Sequence, residues 1–300
     1  MEYNKKPMAI IRTESGDIAS FVDQDSNLDV RTVVSFGEEW QKFNRFSDQD
    51  IDSIGNDYFD IVDEAILHPG TVALDVGCGS GRWTKFLAEK VGMVEAIDPS
   101  KAVVPASRML KDLKNVRVTQ ASVSAIPFED ESFDFVMSLG VLHHVPDTRK
   151  AVMDCVRKLK SGGTFMIYLY YSLDNRGLFF RTLFKMSDLI RRMVSSLPSG
   201  LKKFVCDILA VLLYLPFVWT ARILSFLGVP EKTLDRIPLS YYRKTRFFII
   251  RNDAFDRFGT PLEQRFSKEE IRKMLTDAGL IRIRFSENAP FWHAIALKPS

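Results

Sequence analysis

What this sequence of 300 residues has little of narrows its reading first. It holds 3 cysteines, Cys78, Cys155 and Cys206, set far apart and in no metal-ligand spacing. Neither a disulfide framework nor a zinc module is therefore expected, and a reducing compartment fits. No charge of one sign dominates: 41 basic against 38 acidic residues leave a net +3, which argues against nucleic acid as a partner. The N-terminal MEYNKKPMAIIRTESGDIAS has no apolar core of signal-peptide length. Long hydrophobic runs are also missing. Between Asp207 and Thr220 only twelve apolar residues follow one another, Pro216 among them, where a spanning helix needs roughly 20. Segment 204–219 therefore reads as a buried or membrane-surface helix with no transmembrane span, and the expected location is cytoplasmic, with peripheral membrane contact left open. A phosphate loop, internal repeats and low-complexity tracts are absent as well.

What is there centres on TVALDVGCGSG, Thr71 to Gly81: an apolar strand, an acid at Asp75, and glycines at 77, 79 and 81 before a helix beginning at Arg82. From here strand and helix patterns alternate. MVEAI ends at Asp98, VRVT and SFDFVMSL follow, and TFMIYLYY is a fifth strand rich in β-branched and aromatic residues. Pro105 should kink or shorten the helix after Asp98. Before the core, residues 1 to about 30 read as a loosely ordered leader. Phe36, Trp40 and Phe43 stand at helical spacing, and a second helix is capped by Ser47 with Asp50 and weakened by Gly55. The aromatics pack under a cap, or Trp40 and Phe43 form one wall of a substrate pocket. Residues 172–263 contain no convincing strand and read as a helical insertion. A Ser267/Glu270 capping box and two closing strands, from Leu280 and from Phe291, restore the core architecture. The expected domains are thus a leader and helical cap at 1–70, a core at 71–171 and 264–300, and a helical lid at 172–263.

The glycine turn points to a cofactor. A dinucleotide turn wants G-x-G-x-x-G; here the third glycine comes one position early, and Arg82 occupies the expected place. Asp75 before the turn would repel a pyrophosphate but attract an ammonium. Asp98, at the end of the second strand, suits a ribose diol. A ribose, no large anion and a welcome positive charge together describe S-adenosylmethionine.

At these residues the sequence resembles the class I S-adenosylmethionine-dependent methyltransferases, particularly the ubiquinone/menaquinone C-methyltransferase-like and small-metabolite group. DVGCGSG, AIDPS, AIPFEDESFDFVMSLGVLHHVPD and LKSGGTFMI are similar to four of its motifs in order. The resemblance implies a three-layer Rossmann-like α/β fold, with a mostly parallel seven-stranded sheet and an antiparallel last strand. It implies that Gly77, Cys78 and Gly79 adjoin the cofactor, that Asp98 and Pro99 hold the ribose, and that Asp75 supports the ammonium. Ser138 and Leu139 would line the methionine side. Where many relatives carry an Asp for the adenine amino group, this chain has Ser122, helped by backbone around Val123.

Methyl transfer needs chiefly alignment, and a base when the acceptor is a hydroxyl or an acidic carbon. His144 and His143, on the loop after the fourth strand, are the candidates, against a plain packing role; Asp147 reads as a helix cap. Tyr171 and Tyr170 close the fifth strand at the acceptor rim. His293 reads as an ordinary half-buried residue. The insertion should carry acceptor specificity, with Tyr241, Tyr242, Arg243, Lys244, Arg246 and Arg251 offering a hold on an anionic, partly apolar molecule. The tail RNDAFDRFGTPLEQRFSKEEI loosely resembles methyltransferases of surface-polysaccharide and secondary pathways. The expected function is methylation of a small molecule, with a sugar-like hydroxyl placed first, and C-methylation of a prenylated quinone-like ring or a non-catalytic cofactor binder as alternatives.

Overall fold

The computed structural model describes residues 1–22, 27–42, 46–174, 177–288 and 290–300. Phe43 lies outside them. The described chain divides into two compact units, residues 1–174 with 262–300, and residues 175–261.

The first unit opens with an antiparallel hairpin, β1 (Ala9–Thr13) and β2 (Gly16–Ser20). Two helices follow, α1 (Val30–Lys42) and α2 (Asp48–Tyr58). The alternating part runs β3 (Val72–Val76), α3 (Arg82–Ala88), β4 (Met93–Asp98), α4 (Val103–Leu110), β5 (Val116–Gln120), β6 (Phe133–Leu139), α5 (Thr148–Lys158) and β7 (Leu159–Tyr168). In the second unit lie α6 (Leu178–Ser195), α7 (Ser199–Leu209), α8 (Leu215–Phe226), α9 (Glu231–Leu234) and α10 (Phe247–Gly259). The first unit closes with α11 (Lys268–Asp277), β8 (Ile281–Phe285) and β9 (Ala294–Leu297).

Among the described residues nine strands form one sheet in the order β1-β2-β5-β4-β3-β6-β7-β9-β8. From β5 to β7 all neighbours are parallel, while β9 runs antiparallel to both β7 and β8. The seven-stranded Rossmann-like core is therefore present, with the antiparallel strand expected of it. The leader at 1–30 is a correction. Instead of loose chain, β2 pairs parallel with β5 and widens the sheet by two strands. The physical reason is tertiary: Ile18 and Phe21 are each 1% exposed, and the Tyr3 hydroxyl bonds Thr119 Oγ1 at 2.8 Å. A short hairpin gains its stability from such an anchor.

Local chemistry explains the element ends. Ser47 and Asp50 form the expected capping box, as do Ser267 and Glu270. The side chain of Asp147 accepts from Lys150 N at 2.9 Å and caps α5. Pro105 falls in the first turn of α4, where its missing N–H costs no intrahelical bond. Gly55 is needed where it stands: a Cβ there would meet the Phe86 ring at 2.6 Å, so its absence lets α2 close on α3.

The second unit is all helix among its described residues. Residues Gly200–Phe226 run as one helix of 27 residues with mean hydropathy 2.0 in its most apolar window, only 28% of which is buried. By length and composition it is long enough to cross a membrane, which the twelve-residue run had argued against. Continuity through Pro216 comes from a π-helical stretch, Ala210–Tyr214, immediately before it. The wider turn absorbs the proline's missing donor and its steric bulk. Within this unit Arg251 forms a two-bond ion pair with Asp207, at 2.9 and 2.7 Å, and Arg243 pairs with Glu231 and Asp235. Two arginines offered by the sequence for an anionic acceptor are thus engaged inside the unit.

Candidate functional site

The strand register brings the chemistry to one edge. Asp98 stands opposite Gln120, and Leu139 opposite Tyr168, so the carboxyl ends of β4, β5, β6 and β7 are level. In an open α/β sheet this edge is where a ligand crevice forms. The turn after β3 is built for close approach. Gly77, Gly79 and Gly81 have φ of +83°, +54° and +88°. At Gly77 a Cβ would lie 2.3 Å from Val141 Cγ1, and at Gly79 it would lie 3.0 Å from the Trp40 indole nitrogen. Bare backbone is therefore required on both sides of Cys78. The N–H groups of Gly77 and Cys78 both donate to the Ile97 carbonyl, which ties the turn to the end of β4.

Two acids are buried beside this turn. Asp98 accepts from Gly79 N at 3.0 Å with one oxygen, and from Ser100 N and Oγ at 2.8 and 2.6 Å with the other. Asp75 accepts from Thr84 Oγ1 at 2.6 Å. Burial pushes the Asp75 carboxyl up to about 7, the Thr84 hydroxyl opposing and the charge of Asp98 adding to the rise. Burial likewise raises Asp98, against the bonds from Ser100 and Gly79, and drives the Cys78 thiol far above its ordinary range. Cys78 at neutral pH is thus a small neutral filler and no nucleophile. Pro99 is half-buried and its carbonyl accepts from Gln120 Nε2 at 3.2 Å. Ser122 and Val123 begin a short 3₁₀ turn after β5 and are both buried. The Ser138 hydroxyl donates to the Val76 carbonyl at 2.9 Å, tying β6 to β3, and Leu139 ends β6 buried.

The histidine loop joins the same edge, because Val141 is the residue packed on Gly77. His144 Nδ1 lies 2.7 Å from the Leu262 carbonyl. A carbonyl only accepts, so Nδ1 carries the proton and Nε2 is the basic nitrogen of the neutral ring. His143 is fully buried, its Nδ1 accepting from Tyr170 N at 3.4 Å and its ring 3.9 Å from those of both His144 and Tyr170. Burial, then the charges of His144 and Arg265, hold its imidazole well below the usual histidine range. Tyr171 is half-buried, bridges to Phe266 and sets its ring 5.5 Å from that of Phe291, tilted by 57°. His293 is wholly buried instead of half-buried, and both its nitrogens are used, by Pro290 O at 2.6 Å and Asp60 at 2.7 Å.

One contributor was read from the sequence only as an alternative, with Trp40 offered as a pocket wall. Helix α1 crosses the strand ends, with Gly37 against Ser100 and Lys101, Trp40 against Gly79, and Phe36 with its ring 4.8 Å from that of His144. The Arg82 guanidinium sits 5.0 Å over the Trp40 ring and 4.6 Å over Trp83. Helical spacing of Phe36 and Trp40 was visible; that their helix spans the crevice was not.

These residues fit a cationic nucleoside. Two buried carboxylates stand beside a turn with no room for side chains, and the hydroxyl of Ser80, 1% exposed, has no hydrogen-bond partner among the described residues. A buried donor of that kind is costly unless something bonds it. Asp98 and Asp75 carry the acceptor capacity a ribose and an ammonium require.

Comparison with known proteins agrees. Residues 74–167 match the family model of a methyltransferase domain. The uncharacterized methyltransferase YcgJ of Bacillus subtilis is 31% identical over 105 residues, 34% of this chain and 42% of its own length. A demethylmenaquinone methyltransferase of Staphylococcus aureus is 39% identical over 101 residues, 32% of this chain and 42% of its own length. The chain thus spans 42% of the length of each of these curated relatives. Among solved structures, a SAM-dependent methyltransferase from Aquifex aeolicus is 18% identical, covers 84% of this chain and 98% of its own, and gives a TM-score of 0.44. Residues 74–167 thus match a methyltransferase domain of the class I S-adenosylmethionine-dependent kind and are similar to bacterial methyltransferases over that stretch. The cofactor of such a domain is S-adenosylmethionine.

Proposed function

We propose that the chain as a whole is a methyltransferase acting on a small-molecule acceptor with a planar apolar ring, and that it methylates a ring carbon of a prenylated quinone-like compound. The observation that carries methyl transfer is the buried pair Asp75 and Asp98 beside the glycine turn. Bound S-adenosylmethionine supplies a methyl already activated by its sulfonium. Asp98 would accept from the ribose hydroxyls, with Pro99 flanking it. Asp75 would face the ammonium, Gly77, Cys78 and Gly79 would give backbone room, Ser122 and Val123 would meet the adenine edge, and Leu139 with Ser138 would border the methionine portion.

The acceptor reading rests on the residues beyond β7. Tyr168, Tyr170 and His143 form an aromatic group there, with Tyr58 edge-on to Tyr168 at 5.3 Å. Such a group suits stacking on a flat ring, and it favours the quinone-like alternative over the sugar-like hydroxyl placed first by the tail motif. The name of the Staphylococcus aureus relative points the same way. His144 Nε2 is the proposed base: it would take the proton of a ring hydroxyl so that the neighbouring carbon becomes nucleophilic toward the methyl the cofactor supplies. The hydrogen displaced from that carbon would leave as a proton to solvent as the hydroxyl proton is returned. His143, held neutral, positions His144 and Tyr170, and Tyr171 positions the acceptor.

Incubation with methyl-labelled S-adenosylmethionine and, separately, a reduced prenylated quinone precursor and a panel of nucleotide sugars tests this. A new carbon-bound methyl on the ring is the expected product. Label on sugar oxygen alone would overturn the ring reading, and cofactor binding without any labelled product from cell extract would make the chain a binder. His144→Gln should lower kcat by about 10²–10⁴-fold while calorimetric affinity for S-adenosylhomocysteine stays unchanged.

A further inference from the structure

The second unit has a charge unlike the rest of the chain. Residues 175–261 hold 15 Lys and Arg against 6 Asp and Glu, a net of +9; with the whole chain at +3, the remainder carries −6. The balanced total hides this division. The long helix of the same unit is buried on one side only. Cys206, Ala210, Tyr214, Val218 and Ala221 recur every three or four residues and are all under 9% exposed. Tyr214 packs its ring 5.7 Å from Tyr242, and Arg222 donates to the carbonyls of Arg243 and Thr245 at 2.8 and 2.9 Å. The other side carries Phe204, Leu212, Trp219, Ile223 and Phe226, exposed by 56% to 92%. A soluble surface does not ordinarily leave so many large apolar side chains in one stripe.

We infer that this outward stripe of α7 and α8 seats the protein on an anionic bilayer surface, the helix lying in the plane of the headgroups. Four observations select that occupant. The stripe supplies apolar area for the acyl boundary, and the net +9 of the unit supplies attraction to anionic headgroups. On α6, Met186, Leu189 and Met193 are also exposed, among the exposed Arg181, Lys185 and Arg192. The buried side of the long helix holds it to its own unit through Tyr214, Arg222 and the Asp207–Arg251 pair. Crossing the bilayer would break those bonds, whereas lying on it keeps them. A second copy presenting the same face would bring +9 against +9, a repulsive meeting. This inference is independent of the acceptor and goes beyond the methyl-transfer reading.

Flotation of the full chain with phosphatidylcholine vesicles, with and without phosphatidylglycerol, tests it with no acceptor present. The chain should float with the anionic vesicles, and less at high salt. Trp219, the one tryptophan in 175–261, should be quenched by brominated acyl chains. The variant Phe204→Ser/Trp219→Ser/Phe226→Ser should lower vesicle partition at least about tenfold and keep its affinity for S-adenosylhomocysteine. Failure to float with anionic vesicles, or equal flotation of the triple variant, overturns the inference. Resistance of the bound chain to alkaline carbonate would show a span instead. Lipid-free self-association abolished by the same variant would give the stripe to a second copy.

Discussion

The two units solve burial in opposite ways. The first encloses its apolar residues: Leu74, Ile97, Phe135, Phe165 and Ile167 in the strands are at most 1% exposed, and it even takes carboxylates inside. The second is two-sided, with a buried stripe tied to its own helices and an outward stripe of large apolar groups. The difference teaches where each kind of selectivity resides. A carboxylate is buried at a cost unless a cation or donor offsets it, and the first unit supplies such donors to Asp98 and Asp75 from Gly79, Ser100 and Thr84. Exposed apolar area asks only for a surface.

That contrast is sharpest at Asp98. Asp98→Ala removes a charged acceptor and should weaken S-adenosylhomocysteine binding by about 1–3 kcal/mol, on the order of tenfold or more, read by calorimetry alongside a melting control. The serine variant of the outward stripe should leave that affinity where it was. Equal loss in both would dissolve the division of labour.

The pH dependence follows from Asp75. Its folded carboxyl titrates at about 7 against 3.8 ordinarily, so between these values the folded chain holds a proton that the unfolded chain has lost. Ligand-free stability therefore falls as pH rises from about 4 to about 7. Affinity for the ammonium-bearing cofactor runs the other way, weakening below pH 7 with a limiting slope of about tenfold per pH unit. Asp75→Asn should flatten both curves; an unchanged affinity profile would place the ammonium elsewhere.

Glycine substitutions compare the units directly. Gly77→Ala forces a side chain onto φ +83° and into Val141, and should cost about 1–3 kcal/mol in chemical denaturation. Gly200→Ala, inside α7 with nothing within 4 Å of the new carbon, should gain about 0.5–1 kcal/mol. A loss there would mean that the exposed helix is more closely covered than its burial shows.

Much of the first unit was legible because its signals are local. Strand, glycine turn and helix sit in one run at Thr71–Gly81, and the caps at Ser47, Asp147 and Ser267 need only residues three positions on. What escaped depends on distant partners. The β1–β2 hairpin looks polar and irregular until Ile18 and Phe21 meet the face of the sheet, some hundred residues away in sequence. Trp40 was a helical aromatic with two readings until Gly79 appeared against it. Net charge gave only a sum, +9 and −6 making an unremarkable +3, so a basic surface could only be local and its place was not legible.

The hairpin also governs how the chain can be cut. A fragment beginning at Thr71 would keep every motif of the cofactor turn yet strip β2 from β5, leaving Val116–Gln120 as a bare sheet edge. Unpaired edges recruit other strands, so such a fragment should aggregate where the full chain does not. The β1–β2 hairpin, which carries none of the cofactor motifs, thus acts as the sheet's selvedge.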